Sequence, residues 1–129
     1  MKLLLDTHAA VWAVTSPRRL PGHIRDVMLG SDTIYVSVVT LWEIGIKFQL
    51  RRPRDPMPFS ASRALLFFVE AKFTILPLTI AHTIAFQTVP LLHGDPFDRM
   101  LVAQSLAESL RLVTHDGRLA AYGPTILTW

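Results

Sequence analysis

The chain has 129 residues, 50% of them hydrophobic, which is enough for one domain (residues 1–129) with a substantial core. No apolar run approaches the ~18 to 20 residues of a membrane span, and an acid at position 6 comes too early for a signal peptide, so we expect a cytoplasmic protein. The absence of cysteine excludes disulfides, thiolate metal sites and thiol nucleophiles. The net charge of +3, carried mostly by arginine, favours a polyanionic partner, although an ordinary basic surface would look similar.

The first strand and the first helix meet at Asp6. Residues 2–5 predict a short buried strand, and residues 8–14 predict a helix. Asp6 can cap that helix, but it also ends a strand, where ligands gather in open α/β sheets. A basic helix at residues 21–29 and a β-branched and aromatic strand at residues 33–36 follow.

The next helix is apolar around nearly its whole circumference, yet it carries an acid. It is expected at residues 38–50 with Ser37 as its cap, and its pattern predicts burial on more than one side. Glu43 lies in its middle. Glu43 could form a surface pair with Lys47, but a carboxylate in apolar surroundings must be paired, neutralised or bound to a cation. The proline- and arginine-rich residues 51–58 are either an exposed linker or a mobile basic loop near a nucleic-acid backbone.

Two further helices and a strand precede the stretch HGDPFDRMLVAQSL. The helices are predicted at residues 60–72 and 79–86, and the strand between them at residues 73–76. Within the stretch, Asp95 followed by proline is typical of a helix start, so a helix is expected at residues 96–106. Its apolar side is formed by Leu101, Val102 and Leu106.

Asp98 and Asp116 are two more acids in unusual positions. Asp98 lies in the first turn of that helix, on its apolar side, and should lean toward the core, although it could simply complete the helix start. A strand at residues 110–113 precedes Asp116, which could instead form an Asp-Gly turn or cap a short helix at residues 118–122. A last edge strand is expected at residues 125–127.

Strands that alternate with helices predict an α/β sandwich with a mainly parallel sheet. Right-handed crossovers would place the carboxyl ends of all strands at one edge. If the four acids converge there, they repel one another and need a cation. Oxygen ligands without cysteine select Mg²⁺ or Mn²⁺, which hold phosphate oxygens and activate water for phosphodiester cleavage. The chain has no glycine-rich phosphate loop, which argues against an NTPase.

Four motifs together resemble the PIN domain family, and within it the VapC-type ribonuclease toxins of bacterial toxin–antitoxin pairs. In chain order they are LLLDTH, SVVTLWEI, HGDPFDRMLVAQSL and LVTHD, and they span essentially the whole chain. The resemblance implies a three-layer α/β/α fold and Mg²⁺- or Mn²⁺-dependent cleavage of RNA. It also implies a homodimer and a hetero-oligomer in which a VapB-type antitoxin holds the toxin inactive.

Carried over residue by residue, the resemblance assigns four acids as catalytic metal ligands: Asp6, Glu43, Asp98 and Asp116. The last of these matches the more variable acid and can act through water. Thr7 and Thr114 would be hydroxyl groups that support the acids, and Asp95 is kept as a helix cap. The five histidines lack metal-ligand spacing, and Trp12 and Trp42 are expected in the core.

Two other functions stay open at this point. One is a PIN nuclease that processes RNA without being toxic. The other is a nuclease-dead PIN domain that binds RNA or protein, although the presence of all four acids argues against it.

Overall fold

The computed structural model describes residues 1–129 and contains one central sheet of five parallel strands. The strands are β1 (Lys2–Leu5), β2 (Thr33–Ser37), β3 (Thr74–Leu76), β4 (Arg111–Thr114) and β5 (Ile126–Thr128). Their order is β3-β2-β1-β4-β5, and every neighbouring pair is parallel. The predicted α/β class is therefore confirmed, with a sheet that is parallel throughout.

Six α-helices connect the strands: α1 (Thr7–Thr15), α2 (Gly22–Leu29), α3 (Val38–Leu50), α4 (Ala61–Glu70), α5 (Ile80–Thr88) and α6 (Pro96–Ala107). Two short 3₁₀ helices, Pro17–Arg19 and Gly117–Tyr122, complete the chain, and the second replaces the short helix predicted after Asp116. Ser37 caps α3, because its hydroxyl accepts the N–H of Val39 at 2.9 Å. None of these helices has both the length and the apolar character needed to traverse a bilayer.

The sheet separates two hydrophobic cores, because alternate strand residues point to opposite faces. Leu3 and Leu5 of β1 lie in a core with residues of α1 and with Phe68 of α4. Leu4, between them, lies in a second core with Leu101 and other residues of α6. Helices therefore cover both faces of the sheet, which is the predicted three-layer sandwich.

Two apolar side chains expected in the interior are exposed. Trp42 on α3 is 61% exposed and packs edge-on against Phe97 at the surface, with ring centroids 5.1 Å apart. Leu106 on α6 is 53% exposed. The inner face of α6 instead includes Gln104, which accepts the hydroxyl hydrogen of Ser37 at 2.6 Å. Leu106 lies about 200° around the helix from Gln104, so this polar contact turns Leu106 toward solvent.

The topology brings the predicted acids to one edge of the sheet. Strands β2, β1 and β4 are neighbours, and their carboxyl ends lie side by side. Asp6 directly follows β1, Asp116 comes two residues after β4, and α3, which carries Glu43, begins at the end of β2. Parallel strands thus place residues far apart in sequence around one site.

Candidate metal centre

The four predicted acids line one cleft of about 500 Å³, named here the acid cleft. They are Asp6, Glu43, Asp98 and Asp116. Trp12 is the one hydrophobic residue among the thirteen that line it. The structure thus brings all four residues together, while their roles as ligands and catalysts stay predictions.

Asp6 is a helix cap that also faces the cleft. Its side chain is buried, with the residue 4% exposed. One carboxylate oxygen, Oδ1, accepts the N–H of Ala9 at 2.8 Å, and the other accepts the hydroxyl hydrogen of Thr114. Burial raises the pKa of Asp6 above its ordinary value, although these hydrogen bonds oppose the shift. Asp6 therefore caps α1 and also faces the cleft, so the two alternatives considered from the sequence hold together.

Glu43 is held by two neighbours on opposite oxygens. Its Oε1 accepts the hydroxyl hydrogen of Thr7 at 2.7 Å, and its Oε2 pairs with the Lys47 ammonium at 2.8 Å. The i, i+4 pair considered from the sequence is therefore present, but it is not a surface pair because Glu43 is only 6% exposed. Thr7 and Thr114, the two predicted hydroxyls, each donate a hydrogen bond to one of the acids.

Asp98 is the acid with the least compensation. No protein group donates a hydrogen bond to its carboxylate, and the nearest cationic candidate, His93 Nε2, lies 3.7 Å away. Burial, followed by the negative charges of Asp95, Glu43 and Asp6, raises the pKa of Asp98 to about 7. Asp95 itself caps α6, as predicted, by accepting the N–H groups of Phe97 and Asp98. A cation beside Asp98 would remove this electrostatic penalty.

Asp116, in contrast, is fully occupied by hydrogen bonds. Arg118 donates its backbone N–H and Nε–H to Oδ1 at 3.0 Å each, and its Nη2 lies 2.8 Å from Oδ2. His93 Nε2 lies 2.8 Å from Oδ2 as well. These donors, Arg118 above all, hold the pKa of Asp116 well below its usual range. Asp116 can therefore reach a cation directly only by giving up one of these partners.

His93 is a buried site residue that the sequence reasoning missed. Its Nδ1 accepts the N–H of Asp95 at 3.0 Å, so the ring proton lies on Nε2 and points to Asp116. His93 is therefore a hydrogen-bond donor to Asp116, although His93, Asp98 and Asp116 have ligand atoms within 4.8 Å of one another. The local signal is the His-x-Asp spacing before α6, but the contact with Asp116 depends on tertiary structure.

Comparison with known proteins identifies the family. The family model of the PIN domain matches residues 3–123. The chain belongs to the PIN domain family. The match covers every acid in the acid cleft, and it confirms the resemblance found from the sequence motifs.

Known proteins similar to this PIN domain include a ribonuclease and chains of toxin–antitoxin complexes. It is 27% identical to Ribonuclease VapC22 of Mycobacterium tuberculosis over 120 aligned residues. The alignment covers 93% of this chain and 91% of the relative. It is also similar to the structure of VapBC2 from Rickettsia felis bound to a promoter DNA fragment, with a TM-score of 0.69 and 17% identity. That superposition covers 100% of this chain and 98% of the chain from Rickettsia felis. A toxin-antitoxin complex from Klebsiella pneumoniae gives a TM-score of 0.69, with 14% identity and coverage of 98% and 96%. The two structures show that the fold is shared.

The chemistry of the PIN domain's acid cleft fits a hard divalent cation. The four acids offer carboxylate oxygens, the chain has no cysteine, and His93 is held as a donor. The two histidines that line the cleft, His8 and His115, are exposed and pack against the Trp12 ring. Asp98 lacks a hydrogen-bond donor, and Asp6 is buried with a raised pKa. Carboxylates in this condition bind Mg²⁺ or Mn²⁺ in preference to softer metals. Asp6, Glu43 and Asp98 are thus the residues able to hold an ion here.

We expect the metal-free protein to lose stability as the pH rises from about 4 to about 7. The pKa of Asp98 is about 7 in the folded state and near 3.8 in the unfolded chain, so the folded state binds more protons across this range. The free energy of unfolding therefore falls with rising pH. The loss should reach about 2 kcal/mol at pH 7, which is less than the full shift implies because water reaches part of the carboxylate. Urea unfolding in EDTA measures it.

The control for this prediction compares two asparagine variants. Asp98→Asn should remove most of the fall in unfolding free energy between pH 4 and pH 7. Asp26→Asn, which replaces an exposed acid on α2, should leave that fall unchanged. If wild type and Asp98→Asn lose the same stability over this pH range, other groups cause the fall.

Proposed function

We propose that this PIN domain is a metal-dependent endoribonuclease that uses Mg²⁺ or Mn²⁺, and that it is the toxin of a VapBC-type toxin–antitoxin pair. One observation carries the nuclease assignment: the partly buried, donor-free carboxylate of Asp98 shares an open cleft with Asp6 and Glu43. The name of the relative Ribonuclease VapC22 supports RNA as the substrate. The toxin–antitoxin complexes among the similar structures support the antitoxin as partner.

The residues of the acid cleft would divide the work between binding and orientation. When bound, Mg²⁺ or Mn²⁺ supplies a water of lowered pKa for in-line attack and stabilises the leaving oxygen. Asp6, Glu43 and Asp98 would hold the ion. Thr114 and Thr7 orient the first two through their hydroxyl hydrogen bonds, so that neither carboxylate rotates away. Asp116 would contact the ion through water, while Arg118 and His93 hold the Asp116 carboxylate in place.

Exposed apolar side chains give the proposed partners a surface to cover. They include Leu66, Val69, Ile80, Ile84 and Leu91, each more than half exposed. Side chains of this kind, when they form a continuous patch, mark interaction surfaces. A second copy of the chain and a VapB-type antitoxin are the partners we propose for them. Size measurement of the chain alone and with a co-expressed antitoxin tests both.

Incubation of the antitoxin-free protein with total cellular RNA tests the nuclease proposal. The reactions contain Mg²⁺, Mn²⁺ or EDTA, and the cleaved ends are mapped by sequencing. Discrete cuts that require the metal and disappear in Asp98→Asn would support the proposal and identify the substrate. A folded protein that makes no cut under any of these conditions would overturn it.

Replacement of His93 by alanine should lower both metal affinity and cleavage rate by about 10- to 100-fold. The reason is that His93 holds Asp116 and supports the start of α6 through Asp95. His93→Gln, which keeps a donor, should recover part of the loss. Mn²⁺ titration and single-turnover cleavage measure the two effects. His23→Gln, at an exposed position on α2, is the matched control, and equal effects at both positions would contradict the assignment.

A further inference from the structure

A second cavity of about 250 Å³ opens next to the acid cleft, between α1 and residues 55–58. We name it the side cavity. It shares six lining residues with the acid cleft: Thr7, His8, Trp12, Arg19, Lys47 and Asp55. The two spaces are therefore parts of one groove, and a chain that enters the acid cleft can continue into the side cavity.

The lining becomes less acidic along this groove. Six carboxylates and three cationic side chains line the acid cleft. The side cavity has Arg19, Lys47 and a single carboxylate, Asp55; Lys47 is paired with Glu43, whereas Arg19 is in no salt bridge. Because the acid cleft by itself repels a polyanion, the attraction for a nucleic-acid strand must come from neighbouring cationic surface such as this.

An aromatic cluster stands where the two spaces join, with Trp12 at its centre. Ring centroids of His115, His8 and Trp129 lie 5.2, 5.6 and 6.1 Å from that of Trp12. The guanidinium carbon of Arg19 lies 4.0 Å from the centroid of the Trp12 ring. His8, Arg19 and His115 are exposed, and Trp12 is half-buried, so the cluster presents planar groups to the groove.

Packing alone explains part of this cluster. Trp12 and Trp129 contact the core on the α1 side of the sheet, and this contact accounts for their position. It does not account for Arg19. No carboxylate lies within salt-bridge distance of its guanidinium, although Asp55 lines the same cavity. The Trp12 ring is the partner that the structure gives it, and the exposed Arg19 side chain lines both the acid cleft and the side cavity.

We propose that Trp12 and Arg19 form a stacking site for one unpaired base of the RNA substrate, in the nucleotide next to the phosphate held at the acids. This inference deepens the proposed ribonuclease function and rests on it. Unpaired bases stack on aromatic rings and on guanidinium planes, whereas bases in a duplex are not accessible in this way. The site would therefore select single-stranded RNA.

A binding experiment with two kinds of strand tests this proposal. The protein is the full chain carrying Asp98→Asn, so that RNA is bound and not cut. One probe is a mixed-sequence single-stranded RNA of about eight nucleotides, and the other is an abasic strand of the same length. We expect about tenfold tighter binding of the strand with bases, because stacking requires them. Added Arg19→Lys, which keeps the charge but loses the plane, or added Trp12→Leu should abolish this preference.

Arg18→Lys is the matched control, because Arg18 is adjacent and exposed but lines neither cavity. It should keep the preference. Equal affinity of the parent chain for both strands would overturn the stacking site, and so would a preference that survives Arg19→Lys. If circular dichroism shows that Trp12→Leu is unfolded, Arg19→Lys alone decides. If the wild-type chain cleaves RNA but the parent chain binds both strands equally, only the stacking site is wrong. If the parent chain prefers the strand with bases but the wild-type chain does not cleave, only the proposed nuclease function is wrong.

Discussion

Asp98→Asn is expected to cleave RNA at least about a thousandfold more slowly than the wild-type chain while its fold is retained. Asp98 is the acid that the protein itself leaves uncompensated, since no donor reaches its carboxylate and three other carboxylates surround it. Asparagine has nearly the same shape but lacks the negative charge. The substitution therefore removes the proposed cation ligand and little else.

Asp98 is a cleaner probe of the site than Asp6. Asparagine at position 6 would also disturb the hydrogen bonds to Thr114 and to the first turn of α1. At position 98 no side-chain hydrogen bond is lost, and the mutual repulsion of the acids decreases. A loss of activity in Asp98→Asn therefore cannot be attributed to unfolding if its stability at pH 7 in EDTA equals or exceeds that of the wild type.

The measurement is single-turnover cleavage of an RNA at saturating Mn²⁺. Asp26→Asn removes an exposed acid on α2 and should cleave at the wild-type rate. If Asp98→Asn keeps more than about a tenth of the wild-type rate, a barrier change of less than about 1.4 kcal/mol would be all that Asp98 contributes. Such a result would rule out Asp98 as a principal ligand.

Mn²⁺ at a hundredfold excess over its dissociation constant should raise the free energy of unfolding by about 2.7 kcal/mol. The folded chain collects Asp6, Glu43 and Asp98 in one cleft, whereas the unfolded chain separates them, so an ion held by these acids would bind the folded state preferentially. The ion also relieves the repulsion that raises the pKa of Asp98. Urea unfolding with Mn²⁺ or EDTA at pH 7 measures the difference, and calorimetry supplies the dissociation constant.

Two variants show whether the stabilising ion is at the acid cleft. Asp98→Asn should lose most of the increase, and Asp26→Asn should keep all of it. Stabilisation of equal size in wild type and Asp98→Asn would place the ion elsewhere on the chain. The same titration with Mg²⁺ should give a smaller shift at equal concentration, because Mg²⁺ gives up its bound waters less readily.

Several acids have a local role and a site role at once, which limits what position alone can tell. Asp6 caps α1 and lines the acid cleft, and Asp116 caps a 3₁₀ helix while it binds His93 and Arg118. Glu43 makes the expected pair with Lys47, but inside the protein. From sequence these alternatives compete. In the structure they coexist, since a carboxylate has two oxygens that can serve different partners.

The sequence by itself determined the order of strands and helices, the parallel sheet and the set of acids at its carboxyl edge. These features follow from local patterns: apolar runs, helix caps and the handedness of short crossovers act over a few residues or one βαβ unit. The motifs HGDPFDRMLVAQSL and LLLDTH also indicated the PIN domain family, and the family match over residues 3–123 confirms it.

Only the tertiary structure decided how each acid is compensated. His93 and Asp116 are 23 residues apart, and no local pattern predicts that the ring of one binds the carboxylate of the other. The same holds for Trp12, which packs against the core as expected but also contacts Arg19 at the groove, and for Trp42, which was expected in the core and is exposed. Hydrogen bonds, pKa values and exposed surface depend on which atoms meet across the sheet. Residue spacing along the chain does not contain that information.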